Sequence, residues 1–139
     1  MLSPAPQQSL GRVVELVPSH DSSIAQRFEM IARTHASSVA VQHSDDCITY
    51  EDLASSSNAI ARGILRQSST QKNESVALFF GHEPSLVSAI MGCAIAGKMY
   101  VPLSPSFPEQ RTRFMLQDAR STIILTSHEH AELARALAG

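Results

Sequence analysis

The segment Gly92-Cys93-Ala94-Ile95-Ala96-Gly97-Lys98-Met99 has the spacing richest in chemistry. It matches the phosphate-cradling pattern G-x-x-x-x-G-K-[ST] at every place but the last. Such a loop must follow a strand and open a helix, so that unpaired backbone N–H groups face the anion. Here an apolar helical pattern precedes the segment and a strand-like run follows it. A helix end presents carbonyls, not N–H groups. Met99 also lacks the hydroxyl that would hold magnesium. The expectation is a small-residue packing surface closed by a glycine cap.

His128 and His130 flank Glu129, but a spacing of two puts them on different sides of a helix start with no third ligand near. His20, His35, His43 and His82 are isolated. His82 and Glu83 directly follow an apolar strand pattern, where α/β sheets bind ligands, yet a loop-and-cap role explains them as well. Cys47 and Cys93 form no Cys-x-x-Cys and read as two reduced thiols. Asn73-Glu74-Ser75 matches a glycosylation acceptor, expected to be a chance match without a secretory signal. No G-x-S-x-G elbow occurs. Accordingly no catalytic, cofactor-binding or metal-ligating residue is assigned.

The elements that would position these groups follow from periodicity and capping. Residues 1–21, with Pro4, Pro6, Gly11 and Pro18, read as an irregular lead-in. Ser23 and Gln26 are spaced as a capping box, opening a helix with Ile24, Phe28, Ile31 and His35 on one face. Val39-Ala40-Val41 and Cys47-Ile48-Thr49-Tyr50 flank the polar turn at 43–46, predicting an antiparallel hairpin. Thr49 and Asp52 then cap a second helix with Leu53, Ser57, Ile60, Ala61, Ile64 and Leu65 inside. Residues 67–73 form a polar loop.

Val76-Ala77-Leu78-Phe79-Phe80 is a continuous apolar run, as expected of a strand buried on both faces. Pro84 opens a helix that is apolar nearly all round and so expected to be buried, and Gly97 ends it. Tyr100-Val101-Pro102-Leu103 is the next strand, with Pro102 marking an edge or terminus. Pro108 and Glu109 start a helix containing Phe114, Met115 and Leu116. Thr122–Thr126 is a third strand, and Ser127 caps a last helix with Leu133 and Leu137 inside. The order strand-helix-strand-helix-strand-helix predicts an α/β fold, a parallel βαβαβα unit with right-handed crossovers.

Composition narrows the function classes. At 139 residues and 15.0 kDa the chain is one domain in size, able to bury about 68% of its unfolded surface. It is 43% hydrophobic and 17% charged, which excludes a disordered tail or a disulfide scaffold. A net charge of -2, with 11 scattered Lys and Arg, gives no footprint for nucleic acid or an anionic membrane. No run is long enough for a membrane span, and Met1–Ser9 lacks a signal-peptide pattern, so a cytoplasmic location is expected.

Three stretches in order carry a resemblance: Ile48-Thr49-Tyr50-Glu51-Asp52-Leu53, then Ala96-Gly97-Lys98-Met99-Tyr100-Val101-Pro102-Leu103-Ser104-Pro105, then Phe107-Pro108-Glu109-Gln110-Arg111 through Met115-Leu116-Gln117-Asp118-Ala119. They resemble the opening motifs of the adenylate-forming (AMP-binding) superfamily, above all nonribosomal peptide synthetase adenylation domains. Those read L-T-Y-x-E-L, K-A-G-x-x-Y-V-P-L-D-P, and Y-P-x-x-R ending M-L-x-D. The likeness covers roughly residues 22–127. Asp52 stands where the family has Glu, Ile95 where it has Lys, and Ser104 where it has Asp.

The resemblance implies the first part of the N-terminal α/β subdomain, over 22–139, of an enzyme that activates a carboxylic acid with ATP and magnesium. By the same resemblance the phosphate loop, the magnesium-binding acid, the ribose-holding acid and the mobile lysine all lie beyond Gly139. The chain by itself is then expected to be scaffold, inactive, and partnered by the remainder of the adenylation domain or a carrier-protein-containing synthetase. Two alternatives are a free-standing regulatory module docking on a fuller adenylating enzyme and an acyl-CoA-ligase-type member. A small flavodoxin-like binder would need a better loop than Gly81-His82-Glu83-Pro84. A parallel sheet with few covering helices also invites a homodimer through an uncovered apolar face.

Overall fold

A computed structural model describes residues 22–68 and 74–139; the lead-in at 1–21 and residues 69–73 of the polar loop lie outside the described residues. Helix α1 (Ile24–Thr34) opens on the expected capping box, Ser23 Oγ accepting from the Gln26 N–H at 3.2 Å and Gln26 Oε1 from the Ser23 N–H at 2.9 Å. Its inward face is the expected one only in the middle, at the half-buried Phe28 and Ile31. Ile24 and His35 are exposed, whereas Ala32 is buried with Phe28 and Ile31 beside it. The alanine lets α1 approach its neighbours closely, and close approach decides which side turns in.

Strands β1 (Val39–His43) and β2 (Asp46–Thr49) pair antiparallel. His43 and Asp46, expected in the turn, form the closing pair instead, and the turn tightens to two residues with Ser44 at a φ of 53°. Helix α2 (Tyr50–Gln67) follows at once. Thr49 Oγ1 accepts from the Asp52 N–H at 3.2 Å and donates to the Asp52 carboxylate at 2.8 Å. The expected reciprocal cap is thus closed side chain to side chain, because Asp is one methylene shorter than Glu. Leu53, Ser57, Ala61 and Ile64 are buried, but Leu65 is exposed, lying a further ~100° round the helix from Ile64.

From here the expected alternation holds: β3 (Ser75–Phe79), α3 (Pro84–Ile95), β4 (Met99–Leu103), α4 (Glu109–Asp118), β5 (Ile123–Thr126) and α5 (Ala131–Ala138). The strands are parallel in the order β4-β3-β5, with Phe79 level with Leu103 on one side and Thr126 on the other. Every residue of β3 is buried. Val76, Leu78 and Phe80 pack toward Ile64 of α2 and Ala89 and Cys93 of α3. Ala77 and Phe79, on the opposite face by strand alternation, meet Leu103 and the α5 residues Ala134 and Leu137. Pro102 lies on the β4 edge, as its missing N–H requires.

Helix α3 buries Ser88, Ala89, Gly92 and Cys93, while its bulkier Leu86, Ile90 and Met91 are only half-buried. Burial all round is therefore not what forms. A methyl on Gly92 would sit 2.5 Å from Ile60 Cγ2, so α2 and α3 meet where only glycine fits. Gly97, at a φ of +66°, closes α3 through two bonds: its own N–H to the Ala94 carbonyl and the Lys98 N–H to the Cys93 carbonyl. That pairing is a Schellman motif. The same motif closes α4, with the Arg120 N–H on the Gln117 carbonyl and the Ser121 N–H on the Leu116 carbonyl. There Arg120 takes the left-handed position at a φ of 50°.

Two expectations near the C-terminal end are corrected. Ser127 does not cap α5: a 3-10 turn, His128–His130, intervenes, and the serine hydroxyl donates to Glu83 instead. Leu133 is exposed, and Ala134 with Leu137 forms the inner side of α5. Phe114 of α4 is likewise exposed, and the buried residue of that helix is Thr112. No helix among the described residues is long and apolar enough to cross a membrane.

Candidate functional site

In a parallel sheet the place to look for chemistry is where the strand order reverses. The chain runs from β3 to β4 on one side and then to β5 on the other, so the crevice opens between the carboxyl ends of β3 and β5. Glu83, ahead of α3, and Ser127 and His130, after β5, meet there. Ser127 Oγ donates to Glu83 Oε1 at 3.0 Å, and His130 Nε2 lies 3.9 Å from the same oxygen. The His130 ring also meets Phe79 edge-on, with centroids 6.1 Å apart. Glu83 thus ties two loops rather than capping α3 with its side chain. The serine and the histidine share a carboxylate; this is not a nucleophile backed by a base.

His128 and Glu129 point away from this contact as exposed residues, and so does His82. Among the described residues no group of three or more His, Cys, Asp or Glu is placed to hold a metal. Cys93 is buried, and burial pushes its thiol up to about 11, which makes it a packing residue rather than a nucleophile. Cys47 is exposed on β2. Ser75 of the apparent glycosylation acceptor is buried, its hydroxyl donating to the Ala119 carbonyl at 2.8 Å.

The phosphate-loop pattern at 92–99 is also resolved by geometry. Its N–H groups at Gly97 and Lys98 are consumed by the Schellman closure, and the side chain of Lys98 is drawn to the amino ends of the strands. There Lys98 Nζ lies 3.2 Å from Glu74 Oε2, while Thr122 donates to Glu74 Oε1 at 2.5 Å. The two charged side chains are 8% and 5% exposed. Ser75 and Ser121 hydroxyls, 2.8 Å apart, complete the cluster. These residues do not fit a nucleotide phosphate. Sequence spacing had no means of finding the Glu74–Thr122 contact, since β5 lies far along the chain from β3.

A groove of about 810 Å³ lies between α4 and α5 and runs along β5. Leu116, Ile124 and Leu137 form its apolar part, with Arg113, Arg120 and Arg135 around it. Ser104, in the loop after β4, hydrogen-bonds the local Ser106 N–H at 3.2 Å, so it keeps the turn-forming role of the Asp it replaces without the charge.

Comparison with known proteins joins this geometry to the three sequence stretches. Residues 28–138 match the AMP-binding enzyme family. The chain is 35% identical over 109 residues to bacitracin synthase 3 of Bacillus licheniformis, covering 78% of this chain and 2% of that protein. It is 33% identical over 104 residues to N-(5-amino-5-carboxypentanoyl)-L-cysteinyl-D-valine synthase of Penicillium chrysogenum, covering 75% of this chain and 3% of the relative. The chain therefore spans only a few per cent of these curated relatives.

Among solved structures, the nonribosomal peptide synthetase FmoA3 in its alpha-methyl-L-serine-AMP bound form superposes with a TM-score of 0.77 at 23% identity, over 84% of this chain and 13% of that one. The N-terminal subdomain of Klebsiella oxytoca NpsA superposes at 0.66 and 23% identity, over 76% of this chain and 28% of that one. At such identities these two likenesses speak for the fold alone. With the family match over most of its length, the chain belongs to the AMP-binding enzymes and forms the N-terminal portion of an adenylation domain of the nonribosomal peptide synthetase type.

Proposed function

We propose that this chain is scaffold for an ATP-dependent enzyme that activates a carboxylic acid as its acyl-adenylate, and that it is inactive alone. The observation that carries the proposal is the free edge of β5. Among the described residues β5 pairs with β3 and nothing else, and the family match extends to residue 138. An open, unprotected strand edge is a template for another strand. The remainder of the adenylation domain is the partner it fits, placing the next strand along β5. ATP and magnesium then belong to the completed enzyme, held by residues outside this chain. Phosphoryl and adenylyl chemistry rests on positioning and charge neutralisation, and the phosphate-loop pattern at 92–99 forms a helix end in place of a phosphate cradle.

The acid is an amino acid on this proposal, in keeping with the peptide synthetases the chain resembles. In the isolated state the exposed Met99 and Tyr100 of β4 supply an apolar surface for a homodimer. The location that suits such an enzyme is the cytoplasm. The test is ATP–pyrophosphate exchange by the purified chain against a panel of amino and aryl acids. No exchange is expected, and robust exchange with any acid overturns the scaffold assignment. Light scattering on the same sample reads the homodimer directly, and a monomer at all concentrations removes it.

A further inference from the structure

We propose that the α4–α5 groove at the free edge of β5 receives an extended, apolar polypeptide segment bearing a carboxylate that pairs with Arg120. This rests on the strand-acceptor proposal above and adds the chemistry of the occupant. The two edges of the sheet are unequal. Pro102 denies the β4 edge a complete row of donors, whereas β5, Ile-Ile-Leu-Thr, has no such interruption. The groove beside β5 has an apolar floor at Leu116 and Ile124, three arginines, and no Asp or Glu in its lining.

The arginines are not equivalent. Arg113 is committed to Glu109 at 2.8 Å and to the Leu137 and Ala136 carbonyls at 3.2 and 2.8 Å, where it holds the end of α5. Arg135 pairs with Glu132 on its own helix. The Arg120 guanidinium makes no hydrogen bond or ion pair with a described residue, its backbone N–H alone being engaged, on the Gln117 carbonyl. Arg120 also occupies the left-handed position that closes α4, where glycine is the unstrained choice. A cation kept at a strained backbone position, beside an open strand edge and an acid-free groove, is matched by a carboxylate brought from outside. A second copy of the chain would bring another arginine-lined groove instead, and like charges oppose that pairing. Arg120 lies three residues before Ile123, the first residue of β5, so the carboxylate belongs at the end of the segment level with Thr122.

Two short capped Val/Thr peptides test this, one carrying two Asp and the other two Lys in the same places. Amide exchange reports whether Ile123–Thr126 becomes protected, and titration gives the two affinities. The Asp peptide is expected to protect β5 and bind about tenfold tighter than the Lys peptide, the size of a few surface charge interactions combined. The Arg120→Gly variant is expected to fold more stably, having lost the strained residue, and to cut that preference to about twofold or less. Equal binding of both peptides with β5 protected overturns the charge inference and leaves the strand-acceptor proposal standing. Absence of β5 protection with either peptide overturns both. An undiminished preference in Arg120→Gly removes Arg120 from the site.

Discussion

The two ends of the parallel sheet are built differently. At the amino ends, the nearly unexposed side chains of Glu74 and Lys98 pair, Thr122 at the surface joins them through Glu74, and Ser75 and Ser121 lie beside them. At the carboxyl ends, Glu83 and His130 are 24% and 20% exposed and stand 3.9 Å apart, joined through Ser127 by one hydrogen bond. The charged pair at the amino end is buried. The carboxyl end is partly exposed and loosely tied, and it is the end at which α/β folds place ligands. The contrast teaches that this chain invests its costly buried charge at the amino ends of the strands and leaves the carboxyl ends more loosely tied.

The contrast is most directly broken at Lys98. Replacing it with Met removes the ammonium from a buried carboxylate, and the expected loss is about 3 kcal/mol by urea unfolding. The double variant Glu74→Leu with Lys98→Met is expected to recover most of that, because burying two apolar groups replaces burying two charges. A cost below about 1 kcal/mol for the single change would mean that the amino end is no lock. Next in size, Ser75→Ala deletes a buried hydroxyl bonded to Ala119 and Ser121, for an expected loss of about 1–2 kcal/mol in the same assay. The smallest effect belongs to the other end. His130→Ala is expected to cost about 0.5 kcal/mol or less through its partly exposed, 3.9 Å contact with Glu83. If His130→Ala instead matched Lys98→Met, the two ends would be equivalent and the contrast would fall.

Much of the fold was legible in advance, and the reason is distance along the chain. The Ser23–Gln26 box, the Thr49 cap, Pro84 at the start of α3 and Gly97 at its end act within one helical turn. Their types and spacing therefore announce them. The alternation that predicts a parallel sheet is a property of consecutive segments, and the three motif stretches pointed to the adenylate-forming enzymes before any geometry was known. What misled was the inward side of individual helices. Ile24, Leu65 and Leu133 look like core and are exposed, while Thr112, a polar residue between two arginines, is buried. A helix presents several apolar faces of similar merit, and the neighbour it packs against selects one.

The site was less legible for the same reason. Glu83 and Ser127 drew notice as loop and cap residues, but nothing local says that they share a hydrogen bond. Helix polarity alone argues against a phosphate loop at 92–99, yet the partner of Lys98 has no sequence signature. Arg120 had none either: it is one arginine among several until its backbone is seen in the left-handed region.

By itself the sequence determined the kinds and order of the elements, the caps that bound them, the α/β class and the family, because each rests on short-range spacing or on ordered motifs. The tertiary structure decided that β5 lies opposite β4 across β3, that Glu74 meets Lys98 and Thr122, and that an arginine-lined groove borders an open strand edge. Those outcomes depend on segments far apart in the chain being brought within a few ångströms, and only packing determines which segments meet.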